Sequence, residues 1–502
     1  MKKKAVGFFS EGLRSVEPFN EPHSGEEAGM ADDLCYAPVH ELSRRIEKRG
    51  LSPLDVVGAH LERIEAVNPK VLGFIHVIAE QAREEAKKAG EEIAAGRRKS
   101  PLHGIPYGIK DIIDTAGVRT TRGSSFFMDR VPEEDAPAVA GLRKAGAILL
   151  GKCHTQEFAS GPMSHNPHLG TARNPWDLSR ITGGSSTGSA ASVASGMVPA
   201  ALGTDTGSSI RGPATHCGIV GLKPTHGRVS LTGVCPNALS YDHVGPLVRT
   251  VRDAAMVLQA IAGYDPRDPY SRDVPVPDFS ARLEDGVKGM RLALCPDLCE
   301  NTEVDAEVQL AFDRAVGVLR ELGAKVEVLP FPDGTRIRAV GEAIISHEFM
   351  EFHRPLYQKN PAGYGEETRA RIEARIGKED PDAYIRAQRD RVLLRRAVRA
   401  LFEKADIIVT PSLPCIAPLI DTKTTRINGK DIPYSLDITM PFLTHQNMTG
   451  FPALSVPMGF TKEGMPTSIQ FIGPPWEEAQ VLRVGHAFEA ATPEYRSRRP
   501  GL

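Results

Sequence analysis

The chain has 502 residues, enough for one large domain or several ordinary ones. Its apolar share of 41 % and charged share of 25 % are those of a packed globular protein, not a disordered or fibrous one. A formal net charge of −2 sets up no long-range field for nucleic acid or an anionic membrane, and no run of about 18 apolar residues can span a bilayer.

Residues 1–33 mix Gly, Pro, Ser, Glu and Lys without a period. They are expected to be a mobile or partner-binding extension ahead of one catalytic domain at 34–502. The apolar run behind Met1-Lys2-Lys3-Lys4 is too short for a secretory signal, and seven scattered cysteines suit reduced thiols. Both point to a cytoplasmic protein. Leu42, Ile46, Leu51, Val56, Leu61 and Ile64 fit two helices broken near 50–53, and 79–95 fits a polar surface helix. A helix through 139–142 should stop at Gly146, before a buried strand at 147–150. Residues 264–290 read as a surface excursion and 291–294 as a strand. Thr302 then caps a helix with the stripe Val308, Phe312, Ala315, Leu319 and Leu322, and Val326 and Val328 alternate in a strand. A basic helix at 383–404 reads as a solvated face, followed by a strand at 407–409, a hairpin of 453–460 with 468–472, and a closing helix at 480–491. Helices between strands imply parallel crossovers, hence an α/β protein with a large mixed, mostly parallel central β-sheet.

The informative stretch is 182–228. It opens Thr182-Gly183-Gly184-Ser185-Ser186-Thr187-Gly188-Ser189 and continues Gly203-Thr204-Asp205-Thr206-Gly207-Ser208-Ser209-Ile210-Arg211-Gly212-Pro213. A flexible Gly/Ser linker would need neither apolar flanks nor glycines recurring around Asp205 and Arg211. A phosphate loop needs Lys where Ser189 stands. Gly184-Ser185-Ser186-Thr187-Gly188 matches the G-x-S-x-G elbow of an α/β-hydrolase-type esterase with Ser186 as nucleophile, but a polar, turn-like 177–182 precedes it. The remaining reading is a working pair of serines. Hydroxyls are weak nucleophiles near neutral pH and need a base. The only histidines inside this stretch, His216 and His226, lie beyond the glycines, and a buried neutral lysine is the usual replacement.

Lys110 is the candidate. On an extended strand it shares a face with Gly108 and Ile112, while Ile109 and Asp111 point the other way. Apolar surroundings then disfavour the ammonium form. Bringing a lysine from about 10.4 to a value useful near pH 7 to 8 costs roughly 3–4 kcal/mol, which a domain of this size tolerates. The competing reading is a lysine that snorkels to the strand end and pairs with a surface carboxylate.

Together, Gly104-x-Pro106-x-x-x-Lys110-Asp111, the 183–189 block, 203–213, Gly221-Leu222-Lys223-Pro224-Thr225-x-Gly227-Arg228 and Gly450-Phe451-Pro452-Ala453-Leu454-Ser455-Val456-Pro457 closely resemble the amidase signature family. The spacing of Ser185 and Ser209 also fits, and the likeness runs from about residue 37 to the C-terminus. The resemblance implies that family's fold, with helices on both faces of the sheet. It implies hydrolysis of a carboxylic acid amide C–N bond through a Ser–Ser–Lys triad and an acyl-enzyme, with no metal or organic cofactor. Ser209 matches the nucleophile, Ser185 the bridging serine behind a cis peptide bond, and Lys110 the base. Backbone N–H groups of Thr206, Gly207, Ser208 and Ser209 match the oxyanion hole. Ala159, Ser160 and Ser185 are expected to meet substrate, with 157–161 lining the acyl pocket. Gly184 and an ion pair of Asp205 with Arg211 are read as structural support. Thr187 stands where Gly or Ser is usual, and Ser208 where Gly is usual, which strains the loop if its φ is positive.

Cys153, His154, His165 and His168 match no common zinc spacing, so no metal is expected, and Cys295 and Cys299 read as a strand end. The expected partners are a small-molecule amide substrate, no nucleic acid and no membrane, with a homodimer as a family-level expectation. The rival reading is the glutamine-hydrolysing A-type subunit of a tRNA-dependent amidotransferase, which shares the triad. The 1–33 extension and 153–158 look less like that subunit. A catalytically inactive binding protein is the third class, and the presence of all three triad residues argues against it. Loops 236–243, 335–380 and 413–447, which shape the pocket, hold no readable code.

Overall fold

The computed structural model describes residues 34–299 and 302–502, so the extension expected at 1–33 lies outside the described residues. Local chemistry sets the helix ends. Ser52 Oγ accepts from the Asp55 amide while the Asp55 carboxylate accepts from Ser52 N, and Pro53 takes the first helical position of Pro53–Val71. The preceding helix is Val39–Glu47, so the break falls at the expected place. Gly146, at φ +85°, closes Pro137–Ala145 in the left-handed conformation. The helix expected to be capped by Thr302 begins later, at Ala306. There Asp305, a stronger cap than threonine, accepts from Glu307 N. Its stripe Val308, Phe312, Ala315 and Leu319 is buried, as a 3.6-residue period requires.

The main sheet has eleven strands among the described residues: β1 (Phe74–Val77), β2 (Pro106–Lys110), β3 (Ile148–Cys153), β4 (Ala200–Thr204), β5 (Val220–Lys223), β6 (Val244–Val248), β7 (Arg291–Leu294), β8 (Lys325–Val328), β9 (Ile407–Pro411), β10 (Ala453–Phe460) and β11 (Pro466–Ile472). Their spatial order is β1-β3-β2-β4-β6-β5-β10-β11-β9-β7-β8. Every residue of β2, β3, β4, β5, β6, β9 and β11 is buried, which requires cover on both faces. The expected α/β class with a large mixed sheet is therefore present. The antiparallel share exceeds the mostly parallel expectation. Parallel pairs are confined to β3-β2-β4 and β9-β7-β8, and the run from β4 through β6, β5, β10 and β11 to β9 is antiparallel. The short turn between β10 and β11 can only return the chain antiparallel, and that hairpin carries the pattern into the centre.

The topology places the site. β2 and β4 are adjacent and parallel, with Ile109 opposite Leu202, so Lys110 and Thr204 emerge together at the carboxyl ends of their strands. Crevices at the carboxyl ends of parallel strands are where α/β sheets present ligands. Residues 177–182, read as turn-like, contain a short strand, Asp177–Ile181, paired with Arg173–Asn174 outside the main sheet. The excursion at 264–290 has one helical turn, Leu283–Asp285, but Phe279 and Leu283 are buried in the core.

Candidate active site

Lys110 is fully buried at the end of β2. Its Nζ lies 2.7 Å from Ser185 Oγ and 2.7 Å from Thr204 Oγ1. Asp111, in the turn just past β2, accepts instead from Thr121 N at 3.0 Å and faces Lys152 Nζ at 3.9 Å. Lys110 makes no ion pair among the described residues. Burial therefore brings its pKa down to about 7, opposed by the more distant charges of Asp205 and Asp242. The competing reading of a lysine that snorkels to the surface does not fit this position.

Ser185 reaches Lys110 because of the turn before helix Thr187–Ala194. The Gly184–Ser185 peptide bond is cis. A Cβ on Gly184 would fall 2.3 Å from Met163 O and 2.2 Å from the end of the Gln156 amide, so only glycine fits. One on Gly188 would meet Gly73 O at 2.1 Å, so the helix packs with its backbone almost touching the chain ahead of β1. Ser186 points elsewhere: its Oγ donates to Thr204 O and accepts from Thr204 N, both at 3.2 Å. No imidazole bonds it among the described residues, which leaves the esterase reading without a base.

Ser209 sits on the turn between β4 and helix Arg211–Cys217, and its side chain lines the main cavity. Its carbonyl accepts from Ser186 N at 3.3 Å, which ties the two serine loops together. No hydrogen bond joins Ser209 Oγ to Ser185 Oγ in this arrangement; catalytic contacts often tighten only when substrate is bound. The amides of Thr206, Gly207, Ser208 and Ser209 have no acceptor among the described residues, while those of Ile210 and Arg211 donate to Asp205 Oδ2. Four consecutive uncommitted N–H groups beside a hydroxyl can receive a developing oxyanion. Ser208 is not among the residues with positive φ, so its side chain is accommodated without left-handed strain.

This loop is braced from below. Asp205 and Arg211, both fully buried, pair at 2.9 Å, and Arg211 also donates to Gln446, Gln470 and Asn447. Burial alone would raise the Asp205 pKa, but Arg211 and the surrounding donors hold it below the usual carboxylate value. The sequence-based expectation of this ion pair agrees with the geometry.

The cavity over Ser209 has a volume of about 630 Å³. Ala159 and Ser160 line it; the Ala159 carbonyl accepts from Asn237 Nδ2 at 2.9 Å, and Ser160 Oγ accepts from Arg371 Nη1 at 3.0 Å. The cavity carries both signs of charge. Arg338 pairs with Asp437 at 3.5 Å and Lys423 with Glu367 at 3.0 Å. Arg371 and Arg375, which also line it, have no carboxylate partner among the described residues.

Thr204, Asp242 and Arg371 escaped the sequence reading. Thr204 stood inside a quoted motif, and its place beside Lys110 follows only from β2 pairing with β4. Asp242 lies in a loop without a period, and Arg371 on the short helix Glu366–Glu373, whose charged sequence shows no apolar stripe to say which side faces the cavity. Among the described residues no cluster of three His, Cys, Asp or Glu could hold a metal, and no disulfide joins any of the seven cysteines. The basic helix Pro381–Ala400 is not wholly solvated: Arg391 stacks over Tyr241 and Arg395 over Phe451. No helix among the described residues is long and apolar enough to cross a membrane.

The family model described as Amidase matches residues 55–482. The chain is 41 % identical to the A-type subunit of the glutamyl-tRNA(Gln) amidotransferase of Geobacter metallireducens, over 92 % of this chain and 98 % of that one. Among solved structures it is similar to a chain from a vestigial protein complex bearing on the origins of an s-triazine catabolic enzyme (TM-score 0.86, 34 % identity, 90 % and 98 % covered). It is also similar to the A-type subunit of the glutamyl-tRNA(Gln) amidotransferase of Thermotoga maritima (0.76, 33 %, 91 % and 95 %) and to the peptide amidase of Stenotrophomonas maltophilia (0.79, 31 %, 93 % and 99 %). Relatives named as one subunit of a glutamyl-tRNA(Gln) amidotransferase overturn the expected pairing of a small-molecule amide substrate with no nucleic acid. The reason the reading failed is physical: a near-neutral total charge says nothing about contacts made through partner subunits.

Proposed function

The chain belongs to the amidase family, an amide-cleaving family, and on that premise we propose that it hydrolyses the side-chain amide of glutamine as the A-type subunit of a tRNA-dependent amidotransferase. The observation that carries the chemistry is the buried Lys110 amine, 2.7 Å from Ser185 Oγ and with a pKa near 7, beside four uncommitted amides.

In the proposed mechanism the neutral Lys110 amine takes the Ser185 proton as Ser185 takes that of Ser209. Ser209 Oγ forms a bond to the amide carbon, and the carbonyl oxygen becomes an oxyanion against the amides of 206–209. Collapse breaks the C–N bond. The proton on Lys110 returns through Ser185 to the leaving nitrogen, which departs as ammonia. Water then attacks the ester by the same relay, releasing glutamate and restoring Ser209. Arg371 and Arg375 suit an α-carboxylate and the acidic groups of the cavity an α-ammonium, so an amino-acid amide fits better than an uncharged one. Residues 34–502 are the proposed catalytic unit, and a tRNA-dependent reaction puts its work in the cytoplasm.

The test is ammonia release from glutamine by the full chain, alone and with partner subunits, beside Ser209→Ala. Turnover that disappears in the variant supports the reading; undiminished turnover by Ser209→Ala refutes it. A second reading, an amidase acting alone on a larger amide, is favoured by a cavity of about 630 Å³, roomier than one glutamine requires. It predicts full activity of the isolated chain on an extended amide and none on glutamine.

A further inference from the structure

Asp242 is a buried carboxylate, 4 % exposed, at the end of the loop that leads into β6. Its Oδ1 accepts from Thr206 Oγ1 at 2.5 Å, and its Oδ2 accepts from Asn237 N at 2.9 Å and Ala238 N at 3.1 Å. Asn237 in turn donates from Nδ2 to Ala159 O at 2.9 Å. One carboxylate thus joins three walls of the cavity: the loop of uncommitted amides, the 236–243 loop and the turn Glu157–Ala159. No lysine, arginine or histidine pairs with it among the described residues. Burying a carboxylate without a cation is costly, and an uncharged side chain would serve if the role were only to brace a loop. Burial pushes the Asp242 pKa up to about 7 although three convergent donors offset part of that cost, and one of those donors belongs to the first residue of the amide loop.

We propose that Asp242 is a positioning residue for the amide cleavage: through the Thr206 hydroxyl it aims the 206–209 amides at the oxyanion, and through Asn237 it fixes the wall that faces them. This rests on the reading of Ser209 as nucleophile. Thr206 has no other side-chain partner among the described residues, so loss of the carboxylate releases the start of the loop while the Asp205–Arg211 brace holds its end.

The probe is a fluorophosphonate, which phosphonylates an activated serine through the same oxyanion geometry and needs no knowledge of the substrate. The saturating labelling rate and the half-saturating concentration are measured on the full chain for wild type, Asp242→Asn, Thr206→Val and the double variant, with Ser209→Ala as control. The expected result is a fall of about 10- to 100-fold in the saturating rate for each single variant, a half-saturating concentration within about threefold, and a double variant no slower than the worse single one. A merely structural role would give losses that multiply. Labelling of Asp242→Asn within twofold of wild type, or multiplying losses, overturns the proposal. Should Asp242→Asn fail to fold, Thr206→Val decides: an unchanged rate overturns it. Wild-type labelling that survives Ser209→Ala sinks the nucleophile assignment instead, a distinct failure.

Discussion

Lowering the pH is the sharpest perturbation of Lys110. Burial lowers its pKa from 10.5 to about 7, so the folded protein disfavours the ammonium by roughly 5 kcal/mol relative to water. Only the neutral amine can accept the Ser185 proton. At pH 6 about a tenth of the molecules hold that form, and at pH 5 about a hundredth, so acylation should fall about tenfold per pH unit below 7 and level off above 8. The assay is the rate of fluorophosphonate labelling of Ser209 from pH 5 to 9, with folding followed by fluorescence at each pH. The sign for stability is opposite to that of a salt-bridged lysine. Between about 7 and 10.4 the unfolded chain binds a proton that the native state releases, so this group's contribution to stability rises with pH across that window and is at its lowest below 7. Lys110→Met should therefore unfold at higher urea than wild type at pH 6 while labelling orders of magnitude more slowly. A labelling profile flat from pH 5 to 8, or Lys110→Met destabilised at pH 6, would refute the argument.

Thr204→Val removes the second partner of Lys110 and leaves the amine free to turn from Ser185; labelling should slow by about 10- to 100-fold with the melting temperature nearly unchanged. Asp205→Asn leaves Arg211 buried without its counter-charge and should cost about 3–5 kcal/mol in urea unfolding. Gly184→Ala forces a methyl group onto Met163 O and should cost about 3 kcal/mol and displace Ser185, seen as slow labelling even in the folded fraction; normal labelling would show that the turn yields.

Much of this molecule could be read without coordinates, for reasons local to the chain. Ser52 with Asp55, Pro53 and Gly146 act within one helical turn, and the buried stripe from Val308 to Leu319 needs only a period. The extended run that ends at Lys110 was legible as a strand, and the serine-glycine blocks that follow it form a recognisable pattern. The antiparallel centre of the sheet was not legible, because pairing is settled between strands far apart in sequence. The same holds for Thr204 beside Lys110, for Asp242 beneath Thr206, and for Arg371 and Arg375 above Ser209. Sequence by itself singled out Ser209, Ser185 and Lys110 as the candidate nucleophile, bridge and base, since those roles are sought by residue type and spacing. Only the tertiary structure decided how far the Lys110 pKa falls, down to about 7, since desolvation depends on everything packed around Nζ. Folding likewise set the charge pattern a substrate must match, because that pattern exists only once distant loops close over the same crevice.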